Sequence, residues 1–307
     1  MAKVLVTGGA GFIGSHLVER LSGMGHDVIV VDNLSSGSRE HLTLCPSARL
    51  ITGDVLKLGE LDSELRGVEV IFHLAALISG QDSLKEPEQY LETNVTGTLR
   101  VIQSAARIGA RRIVFASSST VYGGVPEPDK TESMVPQPLT TYALSKLTSE
   151  HLLGLYAPLH GFSHVALRLF NVYGPRQSPS HPYANVTCKL AHAVANARPI
   201  DVYGDGHQTR DFVFVDDVVS AFARVGFASE KSLYNVGSGR DCSINQLIAI
   251  VERTGGAKLE RRNLGPWPND IRAIRADIRA FAADHGYAPQ VTLEQGLART
   301  VAYFRGS

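Results

Sequence analysis

The chain has 307 residues, 44% of them hydrophobic and 20% charged, with 30 basic side chains against 30 acidic ones. That length and composition allow one large α/β unit, or a larger and a smaller lobe, with enough apolar material for a core. The neutral balance excludes the broad basic footprint of a nucleic-acid binder, although an anionic small molecule needs only a few local cations.

In chain order, short apolar runs alternate with helical patterns. Strands are predicted at 3–8, 27–32, 48–54, 69–76, 111–118 and 164–171, all rich in Val, Ile and Phe. The runs are nearly continuous, as in strands buried on both faces of a parallel sheet. Helices are predicted between them at 12–24, 90–108 and 142–159. Repeated strand–helix–strand order implies a doubly wound α/β (Rossmann) sheet. After residue 171 the pattern loosens: "VYGPRQSPSHPYAN" reads as loop, followed by a helix at 184–197. "RDFVFVDDVVSAFARV" and "SLYNVGSG" read as a return to the main sheet, and helices are expected at 243–254 and 292–305 around a loop through "NLGPWPND". The expected organisation is a cofactor-binding domain of residues 1–171 plus 207–238, and a smaller C-terminal substrate lobe of 172–206 plus 239–307. Cys45, Cys188 and Cys242 lack metal or redox spacing, which suits a reducing compartment and implies no metal site. The N-terminus lacks the pattern of a leader peptide and no run reaches membrane-span length. A soluble, cytoplasmic protein is expected.

The first strand–helix junction reads "TGGAGFIG", with Gly8, Gly11 and Gly14 three residues apart. Glycines there let the backbone turn tightly and approach a pyrophosphate at a helix N-terminus. The next strand ends in Asp32. A carboxylate at that position accepts hydrogen bonds from an adenosine ribose and repels a 2′-phosphate, which favours NAD over NADP. "SSGS" and Arg39 follow, so a cation is also close by.

A serine-rich strand end, "RIVFASSST", precedes "TYALSK", which sets Tyr142 and Lys146 four apart on one helix face. Alone, that pair reads as an aromatic at a helix start and a solvated lysine. After a glycine loop and a serine strand end at the ligand-binding edge of a parallel sheet, it reads as a proton-transfer site. A free tyrosine, with a pKa of about 10, is a poor base at neutral pH. A nearby ammonium and a positive nicotinamide ring would favour its phenolate, and a serine hydroxyl could share the substrate's proton.

Taken together, these segments resemble the extended short-chain dehydrogenase/reductases, specifically the nucleotide-sugar epimerases and dehydratases. The resemblance runs from residue 4 to about residue 297. It rests on "TGGAGFIG" (7–14), "GDV" (53–55), "HLAA" (73–76), "NVTGT" (94–98), "SSSTVYG" (117–123), "YALSK" (142–146), "LRLFNVYGPRQ" (167–177) and "DGHQTRDFVFVDDV" (205–218), in that order. The resemblance implies a catalytic set of Ser118, Tyr142 and Lys146. It implies NAD contacts from Gly8, Gly11, Phe12, Ile13, Gly14, Asp32, Asn33, Ser36, Gly37, Asp54, Val55, Leu74, Ala75, Ala76, Asn94, Ser117, Tyr142 and Lys146. Substrate contacts are implied for Ser118, Ser119, Thr120, Tyr142, Asn171, Tyr203, Arg210 and Asp270.

Family members of this kind begin by taking the proton of a sugar 4-hydroxyl while NAD accepts the hydride from C4. The dehydratases then use Asp-Glu directly after the catalytic Ser/Thr, and the decarboxylases a Glu at the second position. Here these positions are Ser119 and Thr120, a pattern similar to the 4-epimerases. The partner implied is therefore a nucleoside-diphosphate sugar, with UDP-glucose and UDP-galactose foremost and the N-acetyl forms admitted. Dehydratases, decarboxylases and UDP-glucuronate 4-epimerases of the same family are the alternatives. Against a carboxylated sugar stand Asn171 and Ser178, where uronate-specific relatives carry Thr and Arg; Ile274 leaves more room beside C2 than a Tyr would.

Within that resemblance, Arg210 corresponds to a diphosphate-binding arginine, and Tyr203 is either the aromatic beside the nucleobase or a strand-end core residue. Arg176 either approaches the substrate or caps a loop. The family's second phosphate-binding arginine is replaced by Trp267, with Asp270 retained and Arg261 or Arg262 able to supply charge nearby. A homodimer through the helices at 90–108 and 142–159 is also implied.

Overall fold

The computed structural model describes residues 1–179, 184–228, 231–265 and 271–306. Its strands are β1 (Lys3–Thr7), β2 (Asp27–Asp32), β3 (Arg49–Thr52), β4 (Val70–His73), β5 (Arg112–Ser118), β6 (Asp129–Lys130), β7 (Ser163–Leu169), β8 (Val172–Tyr173), β9 (Ile200–Tyr203), β10 (Thr209–Asp211), β11 (Val213–Phe214), β12 (Leu233–Val236), β13 (Asp241–Ser243), β14 (Arg261–Leu264) and β15 (Ala273–Ala276). The α-helices are α1 (Phe12–Gly23), α2 (Asp82–Lys85), α3 (Pro87–Tyr90), α4 (Gly97–Ile108), α5 (Thr141–His160), α6 (Val186–Ala195), α7 (Val215–Phe227), α8 (Ile244–Gly255), α9 (Arg279–His285) and α10 (Leu293–Arg305).

Seven strands form the main sheet in the order β12-β7-β5-β4-β1-β2-β3, every neighbouring pair parallel. This is the doubly wound Rossmann arrangement expected from the sequence. Strand alternation sends successive residues to opposite faces. Val4 and Val6 of β1 pack with Leu17, Val18 and Leu21 of α1 and with Val218 and Phe222 of α7. Leu5 between them joins Val101, Ile102 and Ala105 of α4 and Leu153 and Ala157 of α5 on the other face. A hydrophobic layer on each side explains why the strands read as unbroken apolar runs.

Three segments differ from the sequence reading. Residues 215–227, expected as part of a return to the sheet, form α7. Its buried face is wide, with Val215, Val218, Val219, Phe222 and Val225, and its polar, solvent-facing stripe of Asp216, Ser220 and Arg224 is narrow, so the Val- and Phe-rich run reads as strand. The stretch expected as one helix over 90–108 is instead α3, a π-turn at Leu91–Thr96, and α4. Finally, β10, from the segment expected in the larger domain, pairs in a second sheet of order β13-β10-β15-β6. That sheet draws β6 from the middle of the chain, so it is assembled from four separate stretches of sequence. Buried Asp211 at the end of β10 ties it together by accepting from the backbone N–H groups of Ser238, Gly239 and Ala276.

Candidate active site

Register places the site. Thr7 pairs with His73, and His73 with Phe115, so β1, β4 and β5 end side by side. The glycine loop, the segment from Leu74 and the serines of β5 therefore leave the same carboxyl edge of the sheet, where parallel α/β folds bind ligands.

At that edge α5 starts with Thr140, whose hydroxyl accepts from the Ala143 N–H (3.1 Å) and caps the helix. Capping fixes the first turn, and Tyr142 and Lys146 follow on the buried face. Lys146 Nζ donates to the Ala116 carbonyl of β5 (2.9 Å), lies 4.8 Å from the Phe115 ring centroid and 6.0 Å from that of Tyr142. The Ser118 hydroxyl engages the Tyr142 phenol and also accepts from Thr120 through its N–H (3.2 Å) and its hydroxyl (2.9 Å). The structure thus brings Ser118, Tyr142 and Lys146 into one buried cluster.

Its electrostatics are set by burial. Desolvation pushes the Tyr142 phenol up to about 12, partly offset by the Ser118 hydrogen bond, with Tyr90 adding to the rise. Desolvation pulls Lys146 down to about 7 against the pull of Glu150. Among the protein's own groups, then, the direction for Tyr142 is opposite to the one the Tyr142–Lys146 spacing suggests. The reason is that a fully buried phenolate loses more hydration than an ammonium, itself desolvated, restores.

The cofactor loop is equally close-packed. Gly8 has φ +71°, and a Cβ there would sit 2.7 Å from Ala75 N. A Cβ on Gly14 would fall 2.1 Å from the Gly8 carbonyl oxygen. Gly11 is the N-cap of α1 and provides no side-chain cap, and the first turn holds no acidic residue. The N–H groups of that turn are left for an anion.

Residues 4–237 match the NAD dependent epimerase/dehydratase family. The chain belongs to that family. It is 40% identical to the UDP-glucose 4-epimerase of Mycolicibacterium smegmatis over 99% of this chain and 98% of the relative. Among solved structures, it superposes on UDP-N-acetylglucosamine 4-epimerase from Methanobrevibacter ruminantium, in complex with UDP-N-acetylmuramic acid, with TM-score 0.95 and 34% identity, covering 99% of this chain and 98% of that one. The UDP-glucose 4-epimerase of Thermus thermophilus, in complex with NAD, gives TM-score 0.92 and 35% identity, with 99% of both chains covered. The family also holds decarboxylases and dehydratases of nucleotide sugars. This epimerase/dehydratase is therefore an NAD-dependent enzyme.

The residues present fit the cofactor. Asp32, 7% exposed at the end of β2, accepts from the N–H groups of Ala10 (2.9 Å) and Leu34 (2.8 Å), one on each carboxylate oxygen. Each oxygen keeps a free acceptor direction for a ribose hydroxyl. Arg39 donates to Thr52 (2.6 Å) at the end of β3. Asn33 donates to Asp54 (2.9 Å), and the next turn holds exposed Ser36 and half-buried Gly37. A Cβ on Gly37 would lie 2.9 Å from the Ala10 carbonyl carbon, so this turn sits directly on the glycine loop. Phe12 and Ile13 pack against the core, Val55 is buried, and Leu74, Ala75 and Ala76 are half-buried at the site's edge.

Two residues expected at the cofactor do something else with their side chains. Asn94, in the π-turn, accepts from the Leu77 N–H (2.9 Å) and donates to the Leu77 carbonyl (3.0 Å) and Ser145 (2.9 Å). Both of its N–H donors are used, and it acts as a tie between the segment after β4 and α5. The Ser117 hydroxyl donates to Glu150, so its side chain is taken up by α5. The glutamate and its partner Arg168 were not singled out in the sequence, although Glu150 lies four residues past Lys146, the same spacing that links Lys146 to Tyr142.

The residues expected at the substrate are spread along the chain from the end of β5 to β10 and beyond. Ser119 is buried and Thr120 exposed after β5. Asn171 donates to the Asp211 carbonyl (3.0 Å), and Arg210 to the carbonyls of Thr209 (2.8 Å) and Ile271 (2.6 Å). Tyr203 ends β9 at 37% exposure, not as a core aromatic. Arg176 donates to Glu19 of α1 (2.7 Å), so it clasps its loop to the cofactor-domain helix. Ile274 packs with Val121, Tyr122 and Phe170. Asp270 and Trp267 lie outside the described residues.

Proposed function

We propose that the protein is a UDP-hexose 4-epimerase that interconverts UDP-glucose and UDP-galactose and admits their N-acetyl forms. One observation carries the reading: a buried Ser118–Tyr142–Lys146 cluster is followed by Ser119 and Thr120, and the Thr120 hydroxyl is committed to Ser118. Neither following residue is an acid, so the site has a proton carrier at the carbinol but no local group for elimination. The relatives named as 4-epimerases support the same choice.

In this proposal Tyr142 takes the proton of the sugar 4-hydroxyl and returns it after the 4-keto sugar presents its other face. Ser118 shares that proton through its hydrogen bond to the phenol, and Lys146 holds the nicotinamide ribose. NAD supplies the hydride acceptor and, for the return step, the hydride donor. Arg210 and Asn171 hold the diphosphate side, Tyr203 lies beside the base, and Asp270 takes ribose hydroxyls. The helices α4 and α5 pair with a second copy in a homodimer, where exposed Leu144, Leu155 and Leu159 of α5 would be covered.

Incubating the purified protein and NAD with a panel of nucleotide sugars, and identifying products by NMR, tests this. Conversion of UDP-galactose to UDP-glucose is expected, and Tyr142→Phe should reduce it by about 10³-fold, within the usual share of one acid–base group, with NAD still bound. Turnover of UDP-glucuronate alone, or loss of water or carbon dioxide from the sugar, would replace the epimerase reading with one of the family's other reactions.

A further inference from the structure

Three successive residues of β5 meet α5 at three points. Ser118 engages Tyr142, the Ala116 carbonyl accepts from Lys146 (2.9 Å), and the Ser117 hydroxyl donates to Glu150. Glu150 is gripped from the other side by Arg168 of β7, whose Nε and Nη2 reach its two oxygens at 3.0 and 2.8 Å. Their side chains are 10% and 4% exposed. Arg168 in turn lies 4.9 Å from the Tyr122 ring centroid, and Tyr122 donates to Asn235 of β12 (2.7 Å). A buried ion pair of this kind is a weak source of stability, and its position one helical turn from Lys146 asks for another reason.

We propose that Glu150 is a positioning residue: anchored by Arg168, it registers α5 on β5 through Ser117 and supplies the counter-charge that keeps Lys146 an ammonium. This rests on the role proposed above for Lys146. The other groups around that lysine give no charge. Tyr142 on α5 is held neutral, its phenol pushed up to about 12 by burial, and His73 on β4 is held neutral, pulled down to about 3 by burial and by Lys146. Phe115, Ser117 and Ser118 on β5 do not ionise in this range. Arg168 carries a further charge of the cluster and is ion-paired to Glu150 at 2.8 Å. Against the burial that lowers Lys146, Glu150 is the group that raises it.

The test follows Lys146 itself in the NAD-bound enzyme. The protein carries isotope-labelled lysine for NMR, and the Lys146 signal is assigned by its loss in Lys146→Arg. In Glu150→Gln its titration midpoint should fall by roughly one pH unit, the lower end of what a nearby opposite charge produces. Should the uncompensated Arg168 prevent folding of that variant, Glu150→Gln/Arg168→Gln removes both charges and should lower the midpoint by a smaller amount. A midpoint unmoved or raised, in whichever variant folds, overturns the proposal, because a purely structural pair would leave it in place. The readout needs no turnover. An enzyme inactive on every UDP-sugar would sink the epimerase reading and leave this result standing, while an active one with an unmoved midpoint would remove only this inference.

Discussion

Replacing Lys146 with Met should abolish activity and yet make the NAD-free protein more stable at pH 6. Lys146 is 3% exposed, and burial pulls it from an ordinary 10.5 to about 7. Folding therefore weakens its hold on a proton. Below pH 7 both folded and unfolded chains carry the ammonium, and the full penalty is present. Between 7 and 10.5 the folded state gives up its proton first and the penalty shrinks; above 10.5 it is gone. At about 1.4 kcal/mol per pH unit the gap is worth up to ~5 kcal/mol. Met removes it but leaves the Ala116 carbonyl without its donor, a loss of about 1–3 kcal/mol. A net gain of ~2 kcal/mol or more at pH 6 follows, turning into a loss near pH 10.5. Urea unfolding of parent and variant at pH 6, 8 and 10 would measure the difference. A Met variant less stable at pH 6, or a difference that does not change with pH, would refute the reasoning.

Gly14→Ala should release NAD from the purified protein, since its Cβ would meet the Gly8 carbonyl oxygen at 2.1 Å and Gly9 Cα at 2.8 Å; a variant that retains the cofactor at parental stoichiometry would contradict the fit of this loop. Asp32→Ala should weaken NAD by at least ~10-fold through a lost ribose contact and two orphaned N–H groups, those of Ala10 and Leu34. Its preference for NAD over NADP should narrow as well, and titrations with both cofactors would show an unchanged ratio if the carboxylate does not face the ribose. His73, hydrogen-bonded to Thr7 (2.8 Å) and Thr98 (3.1 Å), is pulled down to about 3 by burial. Because the unfolded histidine takes up its proton first, stability should fall as pH drops from about 6.5 towards 3, and His73→Gln should flatten that limb in pH-dependent denaturation.

The parts of the fold legible in the sequence are those whose burial is uniform. β2 runs from Asp27 to Asp32, as its apolar run implied, because both faces of the strand are covered and nothing polar interrupts it. α7 was hidden by a related cause: its wide buried face of Val and Phe outweighs the narrow polar stripe of Asp216, Ser220 and Arg224, and the run reads as strand. The π-turn at Leu91–Thr96 was hidden differently. Its insertion is set by Asn94 reaching Leu77 and Ser145, contacts 17 and 51 residues away, which no local periodicity encodes. Short elements such as β6 and α9 depend on partners elsewhere in the chain and were likewise invisible.

The meeting of Ser118, Tyr142 and Lys146 was legible for a further reason: they are spaced by the geometry of the elements that carry them. Tyr142 and Lys146 stand one turn apart, and the serines stand at a strand end, so spacing alone proposes their meeting. What spacing could not give is the balance of charges. The tyrosine–lysine pair suggests a phenol made acidic by its neighbour, whereas burial raises Tyr142 and lowers Lys146 together. The sign depends on how much water each group loses, and that is decided by β4, β5 and α5 closing over the pair. A second charge one turn further along α5 then becomes part of the same question. By the proposal above, the lysine that sequence reading makes the source of positive charge itself depends on Glu150, which Arg168 of β7 anchors. Catalytic electrostatics here is a property of the strand–helix register, so substitutions at Ser117 or Arg168, neither of which touches Lys146 directly, should alter the site as surely as substitutions within it.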